Sequence, residues 1–196
     1  MEMLVALVIA TAVLVMIPGP NVALIVANSV QYGPRSGVMT VLGTTAGVAL
    51  QLVAVVLGMA VVIEFAADML NWIRWAGVAY LIWLGIRTWR TPASDLTGIK
   101  PAPTMFLRAC LLSAANPKTL LFNAAFLPQF VANGSTGGVL VVGAVFLAVI
   151  FIGDLMWVAF ADAARKRLSR YSHWRNRLTG AFLAAAGLGL ALAKRV

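Results

Sequence analysis

The chain alternates long apolar runs with short polar connections. A helix that crosses a bilayer needs roughly 20 mostly apolar residues. Six runs approach that length: about Met3–Ala27, Gly37–Ile63, Trp72–Trp89, Phe106–Val131, Gly138–Ala161 and Leu178–Ala193. The last is short, but Arg177 and Lys194 can snorkel from its ends. Trp72, Trp75, Trp89 and Trp174 fall near expected ends, where an aromatic belt forms. The pattern predicts an all-α polytopic membrane protein with six transmembrane helices. The run starting at Met1 carries Glu2 and lacks a cationic leader region, so it reads as the first span and not as a cleaved signal.

Two runs are interrupted where interruption is expensive. The first contains "PGPN" at Pro18, Gly19, Pro20 and Asn21; the fourth contains "NPK" at Asn116, Pro117 and Lys118. Proline has no N–H, so Pro18, Pro20 and Pro117 leave the carbonyls of Leu14, Met16 and Ser113 without their helical donors. In hydrocarbon an unsatisfied backbone group costs several kcal/mol, so such breaks persist only where protein or a watery cavity covers them. A helix start after the break offers N–H groups to an anion, and the freed carbonyls offer a complementary place for an ammonium. Prolines also kink membrane helices without further consequence. Three of them, beside Asn21, Asn116 and Lys118 and in equivalent spans, favour a binding site.

Three spans per half is an odd number, so repeated halves must be inverted relative to each other. The expected division is a first half over 1–95, a cytoplasmic linker over 91–105 and a second half over 104–196, within one transporter domain. A weak internal similarity agrees: "GPRSGVMTVLG" follows the first break and "STGGVLVVG" the second.

Charge placement sets the expected orientation. The chain is 62% hydrophobic with only 11% charged residues, and its formal charge is +9. The basic residues gather in connections between apolar runs, with the largest group in "RKRLSRYSHWRNR", so nucleic-acid binding is not expected. By the positive-inside rule that side is cytoplasmic and both termini face outward across a bacterial inner membrane. With one cysteine and one histidine, neither a disulfide framework nor a Cys/His metal site is available. No GxxxxGKS sequence occurs, so a primary pump would need another subunit, and no cofactor is expected. Nor do the spans carry paired carboxylates or a Ser/His arrangement, which argues against an enzyme.

Lys118 lies ten residues beyond Arg108, hence about 15 Å along a helix and near mid-membrane. A charge there costs at least about 3 kcal/mol on insertion scales. Asp154, interrupting the fifth span, is the expected counter-ion. The two form either a substrate or proton site or a buried structural pair. Gln51 and Asn123 either line a path or act as interhelical glue. Glu64 and Asp68 are expected to be solvated at outer span ends, and Asp162 to neutralise the basic loop locally. Gly43 and Gly47 have the small-xxx-small spacing of close helix packing, within the monomer or across a homodimer.

These segments together resemble the LysE family of small bacterial amino-acid exporters. The resemblance rests on "PGPN" (18–21), "GPRSGVMTVLGTTAG" (33–47), "GVAYLIWLGIRTWR" (77–90), "NPKTLLFNAAFLPQF" (116–130) and "GAFLAAAGLGLAL" (180–192). It implies secondary-active export of an amino acid or close derivative, exchanged for protons. It also implies that Pro18–Asn21 and Asn116–Lys118 belong to the family's central motifs, and that Asp154 falls at an acidic position. Asn123 departs from the family, which often has an aromatic residue there. The rivals are export of another small metabolite or a cation, disfavoured by Lys118 and the few acids, and a membrane scaffold without transport.

Overall fold

Helix starts and stops follow the prolines and glycines. A computed structural model describes residues 2–56, 75, 78–90, 104–130, 136–168 and 172–192. Helix α1 (Glu2–Met16) ends just before Pro18, and α2 (Pro20–Tyr32) begins with a proline in its first turn, where a missing N–H is harmless. The two helices are bent by 59° at the break. Gly33 closes α2 with φ +93°, a left-handed conformation that favours glycine, and donates its N–H to Ser29 O at 2.9 Å. Helix α3 (Pro34–Val56) follows at once, and α4 covers 78–90.

Helix α5 (Met105–Ala114) stops before Asn116, and α6 (Pro117–Leu121) restarts after it. A π-helical turn (Phe122–Phe126) and a 3-10 turn (Leu127–Phe130) complete that segment. Helices α7 (Thr136–Leu168) and α8 (Ser172–Leu192) close the chain. The described residues are thus all helical, as in a polytopic membrane protein. By length and composition α3 and α7 can each cross a membrane, and the bent α1–α2 pair makes a third span.

Two expected boundaries move. The first apolar run continues as helix to Tyr32, five residues past its expected end. Much of the segment Arg165–Arg177, expected as a basic loop, is helical, because α7 runs on to Leu168 and α8 starts at Ser172. Hydropathy marks where the bilayer ends, whereas a helix ends only where something stops it. No proline or glycine lies between Asp154 and Leu168, and the Asp162–Lys166 pair (2.7 Å) bridges one turn there. Glu64, Asp68, Trp72, Arg74, residues 91–103, Lys194 and Arg195 lie outside the described residues.

Close approach of backbones organises the bundle. At Gly43 a Cβ would lie 2.5 Å from Phe106 O, and at Gly47 it would strike Cys110 O and sit 2.8 Å from Ala114 N. The small-xxx-small pair is therefore the groove in which α5 lies along α3, within one chain. Gly85 of α4 and Gly180 of α8 form a second close crossing, each facing the other's carbonyl. On α7, Gly153 admits Val15 of α1. The main apolar core joins Leu7 and Val15 of α1, Val48 and Leu52 of α3, and Phe146 and Ile150 of α7. Phe122 stacks on Phe146 with centroids 5.3 Å apart. Outward faces stay apolar: Ile9 is 59% exposed and Met156 69%, the surface expected for contact with lipid and not water.

Candidate functional site

The broken helices bring their polar ends together. The last carbonyls of a helix lack intrahelical partners, and at the end of α1 those of Leu14, Val15 and Ile17 accept from side chains of other elements. Lys118 Nζ donates to Leu14 O at 2.5 Å and also to Ile17 O. Trp157 Nε1 of α7 donates to Val15 O at 3.2 Å. A helix C-terminus carries partial negative charge, so an ammonium is the fitting group there. Lys118 is thus a cation held by Leu14 O, the carbonyl that Pro18 freed, and by Ile17 O at the break itself. Its stem runs beside Gly19, where a Cβ would be 3.4 Å from Lys118 Cδ.

The second break is closed by amides. Gln51 Nε2, from α3, donates to Ser113 O (2.9 Å), Ala114 O (3.1 Å) and Asn116 O (3.1 Å). Asn116 caps α6, its side-chain oxygen accepting from Lys118 N at 3.0 Å. Behind this, Asn123 Nδ2 donates to Gln51 Oε1 at 3.1 Å.

A polar relay crosses four helices. Asn21 Nδ2 on α2 donates to Ser113 Oγ on α5 at 2.9 Å. Ser113 Oγ donates to Thr44 O on α3 at 2.7 Å, and Thr44 Oγ1 reaches Asp154 Oδ2 on α7 at 3.4 Å. Asn21, Ser113, Thr44 and Asp154 are all buried. The Asn21 Oδ1 atom is buried with no donor facing it.

Between these parts lies a cavity of ≈ 30 Å³, lined by Gly19, Asn21, Asn116, Lys118, Thr119 and Asp154, with Leu14, Val15, Val22 and Ile150 as apolar wall. That is room for a water or two, at about 10–15 Å³ each on this measure, and too small for an amino acid. Lys118 and Asp154 line the same cavity without an ion pair within 4.0 Å; the ion pair among the described residues is Asp162–Lys166. The two share the cavity without direct contact, and the ammonium donates instead to the carbonyls at the end of α1. No group of three or more His, Cys, Asp or Glu is placed to hold a metal among the described residues.

Residues 12–194 match the family of LysE type translocators. The chain belongs to this family. Among relatives, it is 28% identical to the uncharacterized membrane protein YrhP of Bacillus subtilis, over 96% of this chain and 98% of that one. It is also 28% identical to the leucine efflux protein of an Enterobacter species, over 84% and 80% of the two chains. The homoserine/homoserine lactone efflux protein of Salmonella typhimurium is 33% identical over 58% of this chain and 57% of its own length. No solved structure matches the chain significantly.

In this LysE translocator two of the segments that carry the resemblance, PGPN and NPK, meet at the cavity. Gly19, Asn21, Asn116, Lys118 and Asp154 come together there. Pro20 is buried at the start of α2 and Pro117 half-buried at the start of α6, while Pro18 faces outward. Gln51 and Asn123 sit one layer behind, as the closure of the second break. Thr44, the Ser113 hydroxyl and Trp157 were not singled out in the sequence. Their signal was weak: a hydroxyl one residue beyond Gly43, a serine three before Asn116, and a tryptophan one turn beyond Asp154.

Proposed function

We propose that this LysE translocator exports neutral amino acids from the bacterial cytoplasm, with the substrate held between the broken helices. One observation carries the reading: an ammonium, that of Lys118, already rests on the carbonyls freed at the end of α1, within a cavity that also holds Asp154. An amino acid presents the same group. Its α-ammonium takes the place of Lys118 on Leu14 O and Ile17 O. The displaced Lys118 then meets the substrate carboxylate, with the first N–H groups of α2 beside it. Leu14, Val15, Val22 and Ile150 face the side chain and suit an apolar or small polar one. The efflux of leucine and of homoserine named for the relatives agrees with a neutral cargo.

In this reading the chain forms six transmembrane helices in two inverted halves, and rocking of one against the other alternates access. Asp154 carries the coupling proton. It is released or taken up as access alternates between the two sides. The domain halves remain those of 1–95 and 104–196.

The test uses cells overproducing the protein and fed a mixture of dipeptides that release amino acids inside. Each amino acid appearing in the medium is quantified for the wild type, an equally abundant Lys118→Met variant and empty-vector cells. The expected result is selective export of neutral amino acids by the wild type, abolished in the variant. If no amino acid leaves faster than from empty-vector cells, despite correct insertion, the reading fails.

A further inference from the structure

A second cavity lies toward the opposite end of α2, and no step above uses it. It measures ≈ 80 Å³ and is lined by Asn28, Gln31 and Tyr32 of α2, Trp83 and Arg87 of α4, and Arg108 of α5, among others. Its charged lining is entirely basic, from two arginines on different helices. Arg87 lies over the Trp83 ring, 5.3 Å from its centroid, a contact that orients the guanidinium. No carboxylate within 4.0 Å pairs with Arg108 among the described residues. Guanidinium groups supply the planar fork that recognises a carboxylate. Leu24, Ala27 and Leu183 add apolar wall, and Ala27 and Leu183 pack with Ala23 and Leu81 in a small apolar cluster.

The cavity is in register with the central site. Asn21, Leu24, Asn28 and Gln31 recur at helical spacing on one side of α2. Asn21 lines the central cavity, and the other three line this one. Ten residues of helix separate Asn21 from Gln31, about 15 Å. The cavity also lies where α2 and α4 end and α5 begins, the ends that adjoin the basic connections.

We propose that this vestibule is the cytoplasmic intake site, where Arg108 and Arg87 catch the carboxylate of an amino acid before it passes along α2 to the central cavity. The proposal rests on the amino-acid export reading.

The experiment uses the full chain, reconstituted in phosphatidylcholine vesicles, with labelled leucine presented at the face that bears Arg108. For Arg108→Gln, transport at low substrate falls about tenfold, the effect of losing a charge-assisted hydrogen bond, with most of the loss in KM. Arg108→Lys recovers part of it. Gln31→Glu, which adds a carboxylate and removes little volume, also raises KM. As a competitor, leucinamide lacks the carboxylate, so the wild type's preference for leucine over leucinamide shrinks in Arg108→Gln. Unchanged KM in Arg108→Gln and in Gln31→Glu, with a wild type that transports leucine, overturns the intake site and leaves the export reading intact. A wild type that moves no amino acid overturns both. An effect of Arg108→Gln that appears only when phosphatidylglycerol is added assigns the arginines to an anionic lipid headgroup, and overturns the proposal.

Discussion

Gln51→Leu removes the donor that closes the second break while keeping the side chain's approximate bulk. Three carbonyls lose it, but their situations differ. Ser113 O still accepts from Asn116 N at 3.0 Å, and Asn116 O still accepts from Leu120 N at 3.1 Å and Thr119 Oγ1 at 3.2 Å. For Ala114 O, Gln51 is the donor the structure provides. One orphaned buried carbonyl costs about 1–3 kcal/mol. Two weakened interhelical bonds add about 0.6 kcal/mol each, giving an expected destabilisation of about 2–4 kcal/mol. Asn123 also loses its acceptor, and its Oδ1 already lacks a donor, so in the variant both ends of a buried amide are unmatched. Adding Asn123→Leu to Gln51→Leu should therefore recover only the part of the loss that comes from the unmatched amide, because Ala114 O stays unpaired, while Asn123→Leu alone takes from Gln51 Oε1 its donor. The assay is reversible unfolding of the purified protein in mixed micelles for both single variants and the double variant. A Gln51→Leu loss below about 0.5 kcal/mol, or single effects that simply add, would refute the assignment of Gln51 as the closure of the break.

Other substitutions test separate parts of the same structure. Gly47→Val drives a side chain into the α5 backbone at Cys110 O and Ala114 N, so the protein should fail to accumulate; Gly143→Ala, whose nearest neighbour is 3.8 Å away, should accumulate normally in the same blot. Gly189 has nothing within 4 Å of its Cβ position and lies in α8, so Gly189→Ala should raise stability by about 0.5–1 kcal/mol in thermal unfolding. Asn116→Ala removes the cap of α6 and should cost about 1 kcal/mol in the same measurement. Asp154→Asn keeps a partner for Thr44 but removes the charge, so export should fall to the empty-vector level at unchanged protein abundance; retained export would exclude Asp154 as the proton carrier.

The breaks were legible because proline acts locally: a missing N–H names the carbonyl it strands, here Leu14 and Ser113. What satisfies that carbonyl was not legible. Gln51 and Trp157 reach across 62 and 142 residues of sequence to Ser113 O and Val15 O, and only the packing of helices brings them there. Lys118 was legible as a charge that needs a partner, but four methylenes let its ammonium choose among directions. Nothing in the chain's order shows that the end of α1 lies nearer than Asp154. The Gly43–Gly47 spacing announced close packing and left open what packs; α5 does, through Phe106, Cys110 and Ala114. The arginine vestibule escaped notice for a different reason. Arg87 and Arg108 sit at span edges and count toward orientation, and their convergence on one cavity depends on how α2, α4 and α5 cross.

Two kinds of joint hold this bundle, and they differ in what they permit. Between α3 and α5 the glycine groove brings backbone to backbone, so neither helix can slide without collision; these two helices move as one body if they move at all. Around the first break the joints are single side chains: Lys118 on two carbonyls, Trp157 on a third, Asn21 on Ser113. Each polar contact of this kind is worth about 0.6 kcal/mol on average in membranes, so the set can be exchanged for equivalent contacts to a ligand at small net change. A transporter needs that contrast, since access must alternate without unfolding the carrier. The end of α1 is where the exchange is cheapest, because its carbonyls require a hydrogen-bond donor in every state while the geometry does not require that the donor belong to Lys118.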